Sequence, residues 1–237
     1  MKIYGEILAG GKGTRMGNTE KPKQFLNLGK KPILIHTLEQ FLLNQDFFKI
    51  LVMCPQEWIA YSQDIIKKYI GDQDRIILVE GGSSRNETIM NGCRYIEKHY
   101  ALKKDDIIVT HDAVRPFVNQ RILKDNIIAA SQYGAVDTVI EATDTIVVSE
   151  DGNDLSEIPV RSQMYQGQTP QSFRIAELMN QYCSLSEEEK HVLTDACKIF
   201  VIKGKKVHIV KGEVYNMKIT TLHDLKLANA ILQEHKS

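Results

Sequence analysis

Two periodicities of apolar residues alternate along the first half of the chain. Short apolar or β-branched runs, typical of buried strands, lie at 3–9, 49–54, 75–80 and 106–110. Between them, apolar residues recur at helical spacing over 31–43, 57–69, 85–99 and 120–133. Strands separated by helices of this length predict parallel crossover units. We therefore expect an α/β fold: a three-layer α/β/α sandwich with a Rossmann-like, mostly parallel sheet.

The pattern changes after Gly134. β-branched runs at 135–140 and 145–149, followed by the turn signal Asp-Gly-Asn at 151–153, predict a β-rich arm at about 136–165. The remaining predicted elements are a helix over 175–182, a second helix after Ser186, strands at 199–202 and 207–211, and a last helix over 222–235. No repeat or linker interrupts this order, which favours one domain with a protruding arm.

Composition narrows the class of protein. The 237 residues suffice for one domain over 1–237, and 43% hydrophobic with 25% charged residues is typical of a soluble globular protein. Lys+Arg and Asp+Glu are equal at 30 each, so the basic excess of a nucleic-acid-binding protein is missing. The four cysteines lack metal-type spacing, and no signal-like or membrane-spanning apolar run is present. We expect a cytoplasmic protein without nucleic-acid or membrane partners.

A glycine-rich loop follows the first strand. The segment 8–17 contains Gly10, Gly11, Gly13 and Gly17, which let the backbone approach a ligand closely. Successive N–H groups in such a loop bind anions, and open α/β sheets bind ligands where their strands end. The spacing matches neither G-x-x-x-x-G-K-[ST] nor G-x-G-x-x-G, and a merely flexible loop is the alternative. With basic residues in the same stretch, the loop predicts a phosphate site.

The string L-A-G-G-x-G-x-R-M over 8–16, followed by P-K-Q-F, resembles the signature of sugar-phosphate nucleotidyltransferases. Later segments narrow the resemblance to the cytidylyltransferases, and together these motifs span residues 8–220 in the expected order. They are Gly81-Gly82 with Arg85, the segment 111–116 (HDAVRP), Asp144-Thr145, Arg161, the segment 168–173 (QTPQSF), the segment 193–196 (LTDA) and the segment 216–220 (NMKIT).

Two branches of that family share the pattern. One acts on D-ribitol 5-phosphate, giving CDP-ribitol for teichoic acid, and the other acts on 2-C-methyl-D-erythritol 4-phosphate in isoprenoid synthesis. The second branch typically has A-A-G in its first loop, H-D-A-A-R-P, and a lysine soon after the Asp-Thr pair of the arm. Here the loop reads L-A-G-G, Val114 stands in the histidine motif, and no lysine follows Asp144-Thr145 directly. The resemblance therefore favours ribitol 5-phosphate; the methylerythritol enzyme and a non-catalytic nucleotide-binding protein are the alternatives.

The resemblance also assigns residues to the nucleotide. Arg15, Lys23 and Lys218 are the expected catalytic cations around the phosphates. Asp112 is the expected ligand of Mg²⁺ or another divalent cation. The expected CTP-binding residues are Leu8, Ala9, Gly10, Gly11, Gly13, Thr14, Arg15, Lys23, Gly81, Gly82, Arg85, Thr88 and Asp112. For a single residue the alternatives are plain: Asp112 could cap a turn or helix, and Lys218 could be an edge-strand lysine.

A second set is expected at the acceptor. It comprises Arg115, Thr145, Arg161, Thr169, Thr194 and Asp195. In the resembled family the arms of two subunits embrace, which implies a homodimer in which an arm residue reaches the partner's site. The alternatives are that Arg115 pairs with an acid, that Thr145 is an ordinary strand residue, and that Thr194 and Asp195 cap a helix.

Overall fold

The computed structural model of the chain describes residues 1–11 and 21–234. Three residues assigned to the nucleotide, Gly13, Thr14 and Arg15, lie outside the described residues, as does the last predicted helical position, His235.

Strands and helices follow each other in the predicted order over most of the chain. The strands are β1 Ile3–Leu8, β2 Asn27–Leu28, β3 Lys31–Pro32, β4 Phe47–Cys54, β5 Ile76–Glu80, β6 Ile107–Asp112, β7 Ala135–Glu141, β8 Tyr165–Arg174 and β9 His208–Lys211. The helices are α1 Ile33–Leu43, α2 Ile59–Tyr69, α3 Arg85–His99, α4 Gln120–Tyr133, α5 Ile175–Cys183, α6 Glu187–His191, α7 Cys197–Ile202 and α8 Leu222–Glu234.

The main sheet of the described residues has seven strands in the order β5-β4-β1-β6-β8-β7-β9. β1 pairs in parallel with β4 and β6, and the pairs β4–β5 and β7–β9 are also parallel. β8 runs antiparallel to both of its neighbours, β6 and β7. The expected three-layer sandwich with a mostly parallel sheet is confirmed.

A hydrophobic core lies on each face of the sheet. Ile3 and Ile7 of β1 point to the face covered by α1, α2 and α4, whereas Tyr4 points to the face covered by α3, α5 and α7. Alternate residues of one strand thus feed both cores, as expected for a central strand between two helical layers. Burying one such side chain contributes about 1.5–3 kcal/mol.

Two sequence predictions are wrong after residue 160. The segment 199–202 is not a strand but the end of α7: Ile199 and Phe200 are buried while Val201 is 62% exposed. A four-residue apolar run is too short for its periodicity to separate the two structures. β8 was not predicted, because much of it is polar; its Gln168, Thr169 and neighbouring polar side chains are nevertheless buried.

The arm also differs from its prediction. β7 belongs to the main sheet, so the segment that leaves the sheet is 142–164 rather than 136–165. The run 145–149 forms no strand, and a single bridge joins Val148 to Glu157 among the described residues. Gly152, with φ of 78°, turns the chain at the predicted turn. A two-stranded ribbon without a packed face gains too little burial to become regular.

A carboxylic acid is buried inside the helical layer that contains α3. Glu6 of β1 is 0% exposed, and neither of its carboxyl oxygens has a hydrogen-bond partner among the described residues. Burial raises the pKa of Glu6 well above its ordinary value, more than the Arg85 guanidinium lowers it. Burial therefore favours the protonated, uncharged form of this carboxyl. It fits because Gly92 of α3 has no side chain, and a Cβ there would overlap the Glu6 carboxyl.

Gly92→Ala should lower the free energy of unfolding by about 1–3 kcal/mol. Alanine favours a helix by about 1 kcal/mol over glycine, but Glu6 cannot move away inside a full core. Urea unfolding of Gly92→Ala, Glu6→Ala and the double variant checks this. In the Glu6→Ala background the alanine should be neutral or stabilising; an equal loss in both backgrounds would contradict the steric cause.

Candidate active site

The candidate site is built where β1 and β6 end side by side. Leu8, the last residue of β1, is in register with Asp112, the last residue of β6. The chain leaving β1 is fixed at once: Ala9 N–H donates to the carbonyl of Met53, and Gln24 Nε2 donates to the carbonyl of Ala9. The start of the glycine-rich loop is therefore held over the sheet edge, at the ligand-binding end of parallel strands.

A cleft of about 230 Å³ opens at this edge. It brings together nine of the residues expected at the nucleotide or phosphates: Leu8, Gly10, Gly11, Lys23, Gly82, Arg85, Thr88, Asp112 and Lys218. It is also lined by four residues that the sequence reasoning missed: Gln24, Ser83, Ser84 and Val114. Ser83 and Ser84 stand between two residues that were expected, and this position was the available signal.

The turn into α3 forms one wall of the cleft. Ser84 caps the helix by accepting from the N–H of Glu87. Thr88 Oγ1 accepts from the N–H of Gly82 and donates to the carbonyl of Ser84, at 2.9 and 2.8 Å. A Cβ at Gly82 would collide with Glu87. Glycine at this position therefore allows the turn to pack against the first turn of the helix.

Asp112 lies among three cations. Its carboxylate oxygens lie 3.0 Å from Lys218 Nζ, 3.3 Å from Arg115 Nε and 3.9 Å from Arg85 Nε. Burial alone would raise the pKa of Asp112, but Arg85, Lys218 and Arg115 outweigh burial and hold this pKa well below its ordinary value. Three cations around one carboxylate leave an excess of positive charge in the cleft, which favours a polyanion such as a triphosphate.

A buried hydrogen-bond chain supports Asp112 from below. Thr169 Oγ1 accepts from the N–H of Asp112 at 3.2 Å and donates to His111 Nδ1 at 2.9 Å. His111 Nε2 donates to the carbonyl of Arg115 at 3.1 Å, because a carbonyl can only accept. Burial lowers the pKa of His111 to about 4, so the imidazole is neutral at physiological pH. His111 thus orders the strand end.

A second set of bonds ties Lys218 to the same frame. Arg115 Nη1 donates to the carbonyl of Asn216 at 2.7 Å, and Asn216 Nδ2 donates to the carbonyl of Thr169 at 2.8 Å. Asn216 also donates to Gln168 Oε1 of β8. The segment carrying Lys218 is thereby held against β8 and the residues after β6. Arg115 and Thr169, both expected at the acceptor, make their hydrogen bonds to this protein frame.

The other expected acceptor residues lie elsewhere in the chain. Thr145 is exposed on the arm, and Arg161 lines a separate open hollow at the base of the arm, with its Nη1 3.4 Å from the carbonyl of Thr143. Thr194 is exposed, and Asp195 accepts from the N–H of Lys198 at the start of α7. Within one chain, none of these four lines the cleft that contains Asp112.

Sequence reasoning also missed two polar residues, Asp137 of β7 and Gln171 of β8. Gln171 Nε2 donates to Asp137 Oδ1 at 3.0 Å. Burial raises the pKa of Asp137 to about 6; the Gln171 bond and Arg85 lower this pKa, while Asp195 raises it further. The available signal was a carboxylate at the centre of the β-branched run 135–140.

The sequence matches one protein family along nearly the whole chain. Residues 4–234 match the family model described as IspD: 2-C-methyl-D-erythritol 4-phosphate cytidylyltransferase. The chain belongs to the IspD family. It is therefore a CTP-utilising cytidylyltransferase, as the nucleotide motifs predicted.

Solved structures of this family have the same fold. The 4-diphosphocytidyl-2C-methyl-D-erythritol synthase from Anaerococcus prevotii is 29% identical, with a TM-score of 0.79 over 98% of this chain and 96% of that one. The Francisella tularensis enzyme is 28% identical, with a TM-score of 0.79 and coverage of 97% and 99%. The Thermus thermophilus enzyme is 26% identical, with a TM-score of 0.73 and coverage of 98% and 100%. These names lean towards the methylerythritol acceptor, not towards the ribitol phosphate that the motifs favoured.

Two further observations concern the described residues. None of their helices is long and apolar enough to cross a membrane. Across 1–11 and 21–234, no group of three or more His, Cys, Asp or Glu side chains is arranged to hold a metal by itself.

Asp112→Asn should lower the free energy of unfolding by about 2–4 kcal/mol at neutral pH, because three neighbouring cations lose their counter-charge; the partial exposure of Lys218 keeps the loss at the lower end. A depressed folded-state pKa contributes stability above the unfolded-state value of about 4 and loses it as the pH falls further. The difference between variant and wild type should therefore shrink below about pH 4.

Chemical denaturation at several pH values checks this, with Asp105→Asn as the control. Asp105 is an exposed carboxylate just before β6, at the opposite end of that strand from the cleft. Added pyrophosphate should raise the melting temperature of Asp112→Asn more than that of the wild type. Equal stabilities at neutral pH would show that the three cations do not need Asp112.

Proposed function

We propose that this enzyme transfers the cytidylyl group of CTP to D-ribitol 5-phosphate, releasing pyrophosphate and giving CDP-ribitol, a teichoic acid precursor. The observation that carries the proposal is the cation-surrounded Asp112 in a cleft between two glycine turns. The choice of acceptor is supported by Val114, by the missing lysine after Asp144-Thr145, and by the segment 165–168 (YQGQ), which resembles the ribitol branch more than the methylerythritol branch. We treat residues 1–237 as one nucleotidyltransferase domain.

The chemistry requires positioning and charge compensation more than proton transfer. A phosphate oxygen of the acceptor forms a bond to the α-phosphorus of CTP, and the bond to the bridging oxygen breaks with its electron pair leaving on pyrophosphate. A phosphate is already a nucleophile, so no general base is required. Lys23 and Lys218 line the cleft, and with Arg15 they would offset the charge that develops on the transferred phosphoryl group.

The nucleoside end of CTP is proposed to lie at the turn into α3. A second hollow of about 270 Å³ shares Gly10, Gly82 and Ser83 with the main cleft and also contains Gly81. Backbone groups of such a glycine turn can read the exocyclic groups of a base at close range. The bonds of Thr88 keep the turn rigid, which supports selection of a base by shape.

Asp112 is the proposed protein ligand of Mg²⁺. Magnesium is commonly held by one or two carboxylates together with substrate phosphates and water, so a single buried carboxylate facing a phosphate cleft fits the ion. The ion would supply charge neutralisation for the triphosphate. Arg85, Arg115 and Lys218 contact the same carboxylate and keep it ionised.

The acceptor site is proposed to be completed by a second copy of the chain. The arm exposes large apolar side chains, which favours a partner that covers them. These side chains are Val147, Val148, Leu155, Ile158 and Val160, each 38% or more exposed. Thr145 and Arg161 would then act on the acceptor phosphate in the partner's site. Thr194 and Asp195 would line the pocket in their own chain.

The second candidate acceptor is 2-C-methyl-D-erythritol 4-phosphate. The family model and the solved structures favour it by their names. Both reactions would use the same cytidylyl-transfer chemistry, so they differ at the acceptor end. A non-catalytic nucleotide-binding protein is disfavoured, because Lys23, Lys218 and Asp112 all line the cleft.

With purified enzyme, CTP and Mg²⁺, kcat/KM for pyrophosphate release should be at least ~10²-fold higher with ribitol 5-phosphate than with the methylerythritol phosphate. Coupled detection of pyrophosphate measures this, and Lys218→Ala is the inactive control. Turnover with the methylerythritol phosphate alone would show that this compound, and not ribitol 5-phosphate, is the acceptor. Release with neither substrate, while CTP still binds, would refute both acceptors.

Mixing Arg161→Ala with Lys218→Ala should restore activity if the arm acts in the partner's site. Each mixed dimer would contain one site with both Lys218 and the partner's Arg161, so random subunit exchange should recover about a quarter of the wild-type rate. Pyrophosphate release before and after mixing measures the recovery. Each variant taken alone through the same exchange step is the control, and a mixture as inactive as its components would show that Arg161 acts within its own chain.

A further inference from the structure

A row of polar side chains crosses the main sheet directly behind the cleft. Glu6 of β1 is in register with Thr110 of β6, Thr110 with Gln171 of β8, and Gln171 with Asp137 of β7. All four lie on the face covered by α3, α5 and α7, because their neighbours two residues along each strand belong to that core. The rest of that core is largely apolar.

The row lies next to the catalytic residues on the same face. Thr110 is two residues before Asp112 on β6, and Gln171 is two residues after Thr169 on β8. Two residues along a strand span roughly 6–7 Å. Thr169 contacts Asp112 through a hydrogen bond, so a ligand bound beside Asp112 has polar side chains within the length of a short carbon chain.

Several polar atoms in this region have no partner among the described residues. They are both carboxyl oxygens of Glu6, Oε1 of Gln171 and Nη1 of Arg85. Gln171 is 3% exposed, so its unpaired oxygen cannot be satisfied by bulk water. Buried polar groups are nearly always paired with protein, ordered water or ligand, and unpaired ones call for a missing partner.

Asp137 marks the accessible end of the row. Its carboxylate is only partly buried: Oδ1 accepts from Gln171, Oδ2 lies on the side of Gly167, which carries no side chain, and the Cys197 thiol also contacts the carboxylate. The start of α7 packs on β7 at this point, with Cys197 Sγ 3.8 Å from the carbonyl of Val136. Asp195 lies just before α7 and acts electrostatically on Asp137, so the carboxylates of Asp137 and Asp195 and the amide of Gln171 lie near one another at this end of the row.

We propose that Asp137 and Gln171 bind hydroxyl groups of the acceptor and make the enzyme prefer a linear alditol phosphate over a methyl-branched one. This inference rests on the proposed function, because it extends the acceptor site beside Asp112. A carboxylate accepts hydrogen bonds from hydroxyl groups, and the amide of Gln171 can accept from another. The methylerythritol phosphate has one hydroxyl fewer and a methyl branch, which would leave such groups desolvated and unpaired.

The test compares kcat and KM for both acceptors in wild type, Asp137→Val, Asp137→Asn and Gln171→Leu. Asp137→Val should lower kcat/KM for ribitol 5-phosphate by ~10–100-fold, chiefly through KM, with a smaller effect of Asp137→Asn. The Kd of CTP, measured by calorimetry, should stay within about 2-fold, since Asp137 does not line the nucleotide cleft. The ratio of kcat/KM for ribitol 5-phosphate to kcat/KM for the methylerythritol phosphate should fall in these variants.

Asp105→Asn is the matched control and should leave kcat and KM for both acceptors unchanged. If Asp137→Val does not fold, the near-isosteric Asp137→Asn and the Gln171 variant carry the test. If the wild type uses ribitol 5-phosphate and the variants keep its ratio of kcat/KM values for the two acceptors, this inference alone is overturned. A wild type that uses only the methylerythritol phosphate would overturn it together with the acceptor assignment. Turnover of neither acceptor, with CTP binding intact, would remove the proposed function itself.

Discussion

The contact between the Asp112 carboxylate and its three cations determines how this site is built. A buried carboxylate is costly unless it is compensated, and Arg85, Arg115 and Lys218 compensate it from three separate segments. The pairing draws together the start of α3, the turn after β6 and the segment before α8. Because the cations outnumber the acid, the assembled cleft remains attractive to phosphate while the cations are held apart in fixed places.

The frame beneath this contact is unusually polar for the centre of a sheet. β8 inserts between two strands of the parallel set and brings Gln168, Thr169 and Gln171 into the interior. Each of the first two is engaged by hydrogen bonds that converge on Asn216 or Asp112. The polarity of β8 is thus tolerated because its side chains bond to the segments that contain the cleft-lining residues Asp112 and Lys218.

The two halves of the site differ in how they are assembled. Most of the described residues proposed to bind the nucleotide follow β1, β5 and β6, and they line one cleft within a single chain. The residues proposed for the acceptor are dispersed: Arg115 and Thr169 lie in the frame, Thr194 and Asp195 precede α7, and Thr145 and Arg161 lie on the arm. Cytidylyl transfer follows from membership of the family. The identity of the acceptor depends on how these dispersed residues are brought together in the acceptor pocket.

By itself, the sequence determined the alternation of strands and helices, the three-layer architecture and the cytidylyltransferase family, because periodicity and motif spacing are local signals. Only the tertiary structure decided the rest. The segment 199–202 is helical because its burial is one-sided, and β8 is a strand because its polar side chains find partners far away in the chain. The row from Glu6 to Asp137 exists only through strand register, which places Glu6 beside Thr110, Thr110 beside Gln171 and Gln171 beside Asp137 although these residues are far apart in the chain. No local pattern encodes such a neighbourhood.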